Sequence, residues 1–335
     1  MIATEDKNMK AMLVNAEQHL VWSDVDYPTL NDDTIIIEVE AAALNRADLL
    51  QRVGKYPSPK GWPEWMGLEV AGTVKEMGSV AREHSPFKIG DSVCALLGGG
   101  GYAEYVAVPY NMVMPIPKGM SMTDASSLPE AYATSYLNLF YEGHLKAGQT
   151  IYIAAGASGL ASVAIPMAKA FGAKVVTSVL TEDIANSIAH LGADIVVDTS
   201  KTKLEDVFRE LDAAGEPVNV AMDCLCGDTL GKCMQYMAEG GYWVVISTLA
   251  GIETNVLLRP LLTRGLHLVG SMLRKRSVQE KADLLAELVD RVWPKLESGE
   301  IKPTVYKVLP MSKAEEAHGI LERGENVGKV VLTLK

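Results

Sequence analysis

The chain has 335 residues, of which 48% are hydrophobic and 22% charged; this is the make-up of a globular protein long enough for about two domains and a sizeable core. Its net charge of -11 argues against the phosphate-neutralising surface that nucleic-acid binding needs and against anionic membranes, and Arg274-Lys275-Arg276 is too short a basic cluster to reverse this. Met1 to Asn8 is polar with no apolar run behind it, so no secretory signal is expected and a cytoplasmic location is.

The first third reads as β-structure. Short runs rich in Val, Ile and Ala at Lys10 to Asn15, Thr34 to Ala42, Glu69 to Lys75, Ser92 to Leu96 and Ala103 to Val108 are punctuated by Asp-Asp, Gly and Pro turn signals. No long helical period appears before Thr123. The pattern then alternates: strand Ile151 to Ala155, helix Leu160 to Phe171, strand Lys174 to Val179, helix Glu182 to Leu191, strand Ile195 to Val197 and helix Lys203 to Ala213. Further strands follow at Asn219 to Asp223 and Tyr242 to Ser247. Such alternation predicts a doubly wound parallel sheet, an α/β fold. A helix at Glu280 to Leu296 precedes a return to strands at Val305 to Leu309 and Lys329 to Leu334. The expected organisation is therefore discontinuous, with residues 1–125 and 271–335 forming a mostly β domain around a nucleotide-type domain at 126–270, and a cleft between them for cofactor and substrate.

Two features test alternative readings. Ile151 to Ala170 carries only Lys169 as a charge, yet Gly156, Gly159 and Pro166 interrupt it, which fits a buried strand–turn–helix better than a membrane span. Pro166 is expected to kink its helix at a cost of about 3 kcal/mol. The four cysteines, Cys94, Cys224, Cys226 and Cys233, suit a reducing compartment; Cys224 and Cys226 lie too close for a zinc ribbon and have no histidine nearby, so a buried structural pair is expected.

Gly156-Ala157-Ser158-Gly159-Leu160-Ala161 follows a predicted strand and opens a predicted helix, the setting of a dinucleotide-binding turn, in which helix N–H groups meet a pyrophosphate. Against Gly-x-Gly-x-x-Gly only the first glycine remains; Ser158 and Ala161 fill the other two positions.

Taken together, Asn45-Arg46-Ala47-Asp48, Gly54-x-Tyr56-Pro57, Gly67-Leu68-Glu69-Val70-Ala71-Gly72-Thr73-Val74, Gly90-Asp91-x-Val93, Gly101 to Val106, Pro129-Glu130-Ala131 with Thr134, the turn at Gly156, Leu191-Gly192-Ala193 and Asn326-x-Gly328-Lys329 span nearly the whole chain. In this order they resemble the zinc-independent quinone oxidoreductases, the ζ-crystallin-like branch of the medium-chain dehydrogenase/reductase superfamily, and are most similar to the tumour-suppressor-inducible group. The resemblance implies a discontinuous GroES-like β domain with a Rossmann-type sheet. It places Asn45, Leu68 and Glu130 at the three positions that ligate catalytic zinc in alcohol dehydrogenases. None is Cys or His, and the Leu68 side chain has no lone pair, so no catalytic metal is expected.

By the same resemblance, Gly156, Ala157, Ser158, Gly159 and Leu160 would hold the pyrophosphate, and Lys329 would supply positive charge near the cofactor. Thr134, Asn45, Thr248 and Asn326 would surround the nicotinamide and its ribose. Each has a plainer reading: Asn45 and Asn326 as turn residues, Thr134 as a cap, Lys329 as a surface charge. The region Ser178 to Thr181 has no acid before Glu182-Asp183, which favours NADPH over NADH. The family's lysine and tyrosine for the 2′-phosphate are here Ile184 and Thr199, however, leaving Thr181 with Lys201 or Lys203 as candidates and NADH open.

Without a metal the acceptor must be activated on its own. Quinones meet that condition, and α,β-unsaturated ketones or aldehydes do so if an enolate is stabilised. Tyr56 is the expected substrate-facing hydroxyl, with Asn45 as a donor beside it; the plainer reading is that Tyr56 packs a loop. The alternatives are an enone or alkenal reductase, or a cofactor-binding protein with vestigial activity. The resemblance further implies a homodimer or homotetramer formed through an edge of the Rossmann sheet.

Overall fold

The computed structural model describes residues 8–334. The polar segment read at Met1 to Asn8 lies, up to Lys7, outside the described residues. The chain divides into two compact units. One runs through Ala133 and regains the chain over Arg276–Glu297 and from Pro303; the other comprises Thr134–Lys275 and Ser298–Lys302.

The first unit opens with an antiparallel hairpin, β1 (Asn8–Val14) and β2 (Leu20–Asp26). A larger sheet follows, built from β3 (Thr34–Ala43), β4 (Glu69–Met77), β5 (Ser92–Leu96), β6 (Tyr105–Pro109) and β7 (Val113–Pro115). Strand β3 is its axis. One edge pairs with β4, and the other pairs with β6 along Thr34 to Glu38 and then with the last strand of the chain at Ala41 to Ala43. Ten residues with Ile, Val and Ala on both faces let β3 sit buried between these neighbours. Short helices punctuate the unit: α1 (Arg46–Arg52), α2 (Ser79–His84) and α3 (Met122–Ala125), with α4 (Pro129–Tyr136) reaching the start of the second unit.

The second unit is a six-stranded parallel sheet. Its strands are β8 (Thr150–Ile153), β9 (Lys174–Val179), β10 (Ile195–Asp198), β11 (Val218–Asp223), β12 (Tyr242–Val245) and β13 (His267–Gly270), in spatial order β10-β9-β8-β11-β12-β13. The order reverses between β8 and β11, the switch point at which such sheets leave a crevice beyond the strand ends. The connecting helices are α5 (Ala161–Ala170), α6 (Glu182–Ser187), α7 (Leu204–Ala213), α8 (Asp228–Met234) and α9 (Leu258–Thr263). Tyr152, Phe208 and Trp243 form an aromatic centre for the core, and Trp243 Nε1 donates to buried Asp223 at 3.0 Å. The first unit then resumes with α10 (Val278–Glu297), β14 (Val305–Pro310), α11 (Ala314–Arg323) and β15 (Lys329–Thr333).

Several expectations need correction. The helix read from Glu182 to Leu191 is broken: α6 stops at Ser187 and a 3-10 turn spans Ala189–Leu191. Ser187 Oγ donates to the Ile184 carbonyl and His190 Nδ1 lies 3.0 Å from the Ser187 carbonyl, local side-chain bonds that compete with helix continuation. Helix α5 contains Pro166 inside its ten-residue span. Ala103 only bridges Ala11, and the strand predicted there starts at Tyr105. Helices α1, α2, α3, α4, α8, α9 and α11 and strands β2, β7 and β13 are additional to those predicted.

Candidate functional site

In the first unit the chemistry-bearing residues converge on the start of α1. Asn45 is its N-cap residue, in extended backbone, and its N–H donates to Asp48 Oδ2 at 2.7 Å. A carboxylate three residues into a helix can reach back this way and satisfy one of the unpaired amides at its start. Asp48 is fully buried and also accepts from Tyr102 Oη at 3.0 Å and from the Gly67 N–H at 3.2 Å. Burial pushes its carboxyl up to about 6, against the pull of these donors and of the Lys329 charge. Gly67 has no substitute there. Its φ is +105°, and a Cβ would meet Gly101 Cα and Tyr102 N at 2.6 Å.

The Asn45 side chain is held on both of its polar atoms. Its Nδ2 donates to Glu69 Oε1 at 2.9 Å, and its Oδ1 accepts from Lys329 Nζ at 2.7 Å. Glu69 is 0% and Lys329 4% exposed, and their charged groups lie 2.7 Å apart. Lys329 Nζ also donates to the Leu44 carbonyl at 2.7 Å, so three oxygens take its three donors. The other Glu69 oxygen accepts the Glu130 N–H at 2.8 Å. Breaking a buried pair of this kind by removing one partner costs about 3–5 kcal/mol, because the other charge is left uncompensated. Lys329 is thus an internal cation, and the surface-charge reading of it is overturned. Leu68, beside Glu69, is buried hydrocarbon. Among the described residues no three His, Cys, Asp or Glu side chains are grouped to hold a metal.

Tyr56 is half-buried on the loop after α1, beyond Gly54, which takes a left-handed φ of +72°. Gln51 Nε2 pins that loop by donating to Ser58 Oγ at 3.0 Å and to the Glu64 carbonyl at 2.8 Å. Asn326 folds onto its own turn, its Nδ2 donating to the Gly328 carbonyl at 2.6 Å.

In the second unit, the remaining expected cofactor residues other than Thr134 lie where parallel strands end. After β8, Gly156 donates its N–H to the Ser178 carbonyl at 2.9 Å, and a Cβ on it would meet Thr177 Oγ1 at 2.6 Å. The turn is closed by Ser158: its N–H meets the Ala155 carbonyl, its Oγ accepts the Ala161 N–H at 3.1 Å, and its carbonyl accepts the Ser162 N–H. Ser158 therefore satisfies the first N–H of α5 from two residues before the Leu160 N-cap. Ala155 is held at a φ of +53°, a conformation costly for a residue with a Cβ. The N–H groups of Ala157, Gly159 and Leu160 have no acceptor among the described residues. Free amides at a helix start fit a pyrophosphate.

Thr181, after β9, is exposed and caps α6, its Oγ1 accepting from the Ile184 N–H at 3.4 Å. Leu180 beside it is 73% exposed. Thr199, after β10, anchors its loop to this spot, donating both its N–H and its Oγ1 to the Val179 carbonyl at 2.9 Å. That anchor brings Lys201 Nζ to Glu182 Oε2 at 2.5 Å and to Asp198 Oδ2 at 3.8 Å. A lysine does reach the strand end, but it arrives paired to carboxylates. Thr248 is exposed beyond β12. Thr134 lies half-buried in α4, its carbonyl accepting Asn138 Nδ2 at 2.7 Å. The four cysteines are all free. Cys226 Sγ lies 3.1 Å from the Ser247 carbonyl, and burial pushes its thiol up to about 12. Among the described residues no helix is long and apolar enough to cross a membrane.

A mostly β unit carrying a buried polar cluster, with a parallel sheet carrying a dinucleotide-type turn, defines the class of pyridine-nucleotide dehydrogenases and reductases. Residues 31–118 match the alcohol dehydrogenase GroES-like domain and residues 159–290 the zinc-binding dehydrogenase family. The chain is 30% identical over 338 residues to the quinone oxidoreductase-like protein 2 homolog of Nematostella vectensis, covering 99% of this chain and 91% of that one. It is 32% identical over 323 residues to the 2-methylene-furan-3-one reductase of Solanum lycopersicum, covering 92% and 74%. A solved mycobacterial protein complexed with NADPH superposes with a TM-score of 0.82 at 26% identity, over 97% of this chain and 99% of that one. The chain belongs to the medium-chain dehydrogenase/reductase superfamily, in its quinone-oxidoreductase-like branch. It has the expected GroES-like β domain and Rossmann-type sheet, and it is an NAD(P)H-dependent oxidoreductase.

Proposed function

We propose that this chain reduces quinones with NADPH, without a metal to polarise the acceptor. The observation that carries the reading is the polar cluster at Asn45. The positions corresponding to a zinc site hold an amide, a hydrocarbon and a carboxylate-bearing residue, and the first and third are joined through Glu69, which Lys329 pairs. No set of soft or imidazole ligands is offered there. A quinone suits such a site, since hydride addition gives an oxygen anion delocalised over its own ring, and a proton on that oxygen completes the hydroquinone. The relatives named as quinone oxidoreductases support the same reading.

The nicotinamide, when bound, supplies the hydride. The protein's part is to bind, orient and protonate. Ala157, Gly159 and Leu160 present free amides to the pyrophosphate from the turn that Gly156 and Ser158 shape. Thr134, Thr248 and Asn326 serve the nicotinamide and its ribose, and Thr181 serves the adenosine ribose. Tyr56 presents its hydroxyl to the acceptor oxygen, and Asn45 borders that site with an amide fixed at both ends. Lys329 contributes charge, since its donors are committed.

The relative named 2-methylene-furan-3-one reductase favours a second reading, reduction of conjugated enones. Turnover of a simple benzoquinone and of a conjugated enone at saturating NADPH separates the two. Faster turnover of the quinone is expected; enone reduction with no quinone reduction would replace the first reading by the second.

A further inference from the structure

We infer that Glu69 and Lys329 form a positioning bracket that holds three separate chain segments in register and fixes the Asn45 amide. Three observations support it. The Glu69 carboxylate joins segments far apart in sequence: one oxygen takes Asn45 Nδ2, across 24 residues, and the other takes the Glu130 N–H, across 61 residues. The Lys329 ammonium closes the assembly from a fourth place, 284 residues from Asn45, gripping Asn45 Oδ1, the Leu44 carbonyl and Glu69 itself. Both charged groups are almost fully out of solvent, where hydrogen bonds to charge are strongest and an unpaired member is most costly.

The arrangement does for these segments what a bound cation would do. It draws oxygens from the segment entering α1 and from β4 around the Lys329 ammonium of β15, and through Glu69 it ties in the start of α4. The difference lies in direction. An ammonium offers three donors at fixed angles and accepts nothing, so Asn45 can meet it only through Oδ1, which leaves Nδ2 to face Glu69. The pair therefore sets which way the amide of Asn45 is turned. Asp48 holds the backbone of the same residue through its N–H, so side chain and main chain are fixed by two different carboxylates.

The catalytic consequence rests on the proposed function, in which Asn45 borders the acceptor; the bracket itself does not. The test uses the full-length protein as Lys329→Met, Glu69→Gln and the double variant. Hydrogen–deuterium exchange is followed in peptides covering 43–50, 66–72 and 128–134, together with melting temperature and with kcat and KM for benzoquinone. Each single variant is expected to melt lower and to exchange faster in all three segments together, by roughly tenfold or more, with the β8 to β13 sheet unchanged. The double variant, which carries no unpaired charge, is expected to regain melting temperature beyond the sum of the singles. Its kcat should stay low while KM moves less.

Faster exchange confined to the substituted segment, or strictly additive losses in the double variant, would overturn the bracket. Should a single variant not fold, the double decides. Folded with the three segments loosened, it supports the inference; folded with native protection and native kcat, it refutes it. A native protein that turns over no quinone counts against the proposed function alone, because exchange and melting still decide the bracket.

Discussion

His318 and Asp48 are expected to hide each other's effect on acid stability. His318 lies in α11, is 0% exposed, and among the described residues neither ring nitrogen has a hydrogen-bond partner. Its ring meets Tyr102 edge-on at 6.0 Å, and the Tyr102 hydroxyl donates to Asp48. Burial, with the nearby Arg52 charge, drives the imidazole from 6.5 down to about 4, although Glu315 opposes the shift. Burial drives the Asp48 carboxyl from 3.8 up to about 6. Between pH 6.5 and 4 the unfolded chain binds a proton at His318 that the folded one refuses, so this group makes stability fall as pH falls, by roughly 3 kcal/mol in all. Between pH 6 and 3.8 the folded state holds a proton on Asp48 that the unfolded chain has released. That makes stability rise as pH falls, by roughly 3 kcal/mol as well. The two slopes nearly cancel from pH 6 to 4. His318→Leu removes one of them, so the variant should gain on the native protein by about 1.4 kcal/mol for each pH unit below 6.5, besides a constant offset from repacking. Urea unfolding of both proteins across pH 4 to 7 measures the difference. A gap that does not change with pH would show that His318 is not held neutral by the fold.

The other predictions concern substrate and cofactor. Tyr56→Phe should lower kcat with benzoquinone on the order of 10²-fold, as expected for loss of a positioned proton donor, with NADPH affinity unchanged; equal rates would remove Tyr56 from the mechanism. At the end of β9, Glu182→Gln should free Lys201 for a 2′-phosphate and tighten NADPH about fivefold, the scale of an exposed ion pair, while Lys201→Ala weakens NADPH similarly. NADH affinity should stay constant in both. Calorimetric titration checks this, and a parallel change for the two nucleotides would show that the Lys201–Glu182 pair does not read the phosphate.

The sequence makes the parallel sheet plain, because its strands are apolar runs separated by helices at regular spacing. The dinucleotide turn stands out for the same reason, although the Ser158 hydroxyl is taken up by the first N–H of α5. Short elements are less visible: α1 has seven residues, too few for a periodic pattern. Helix α11 did leave a signal, with buried Ala314, Ala317, His318, Ile320 and Leu321 on one face and Gly324 at its left-handed end.

The site was legible residue by residue but not as a cluster. Asn45, Glu69 and Lys329 each appear in a quoted motif, yet nothing local says that they touch. They meet because β15 pairs antiparallel with β3, Val331 opposite Ala43, which carries Lys329 to Asn45. Glu69 gave the one hint available, as an acid at the head of an otherwise apolar strand run; its 0% exposure required a buried partner. Likewise, Lys201 reaches Glu182 because β10 pairs with β9 and Thr199 anchors the following loop to Val179.

Acceptor reduction at a site where Glu69 and Lys329 hold Asn45 and Glu130 in place needs no metal. This is tested most directly by measuring NADPH oxidation by benzoquinone before and after exhaustive dialysis against a strong chelator, with zinc then added back. The same kcat is expected in all three states. Loss of turnover on chelation, with recovery on adding zinc, would contradict it.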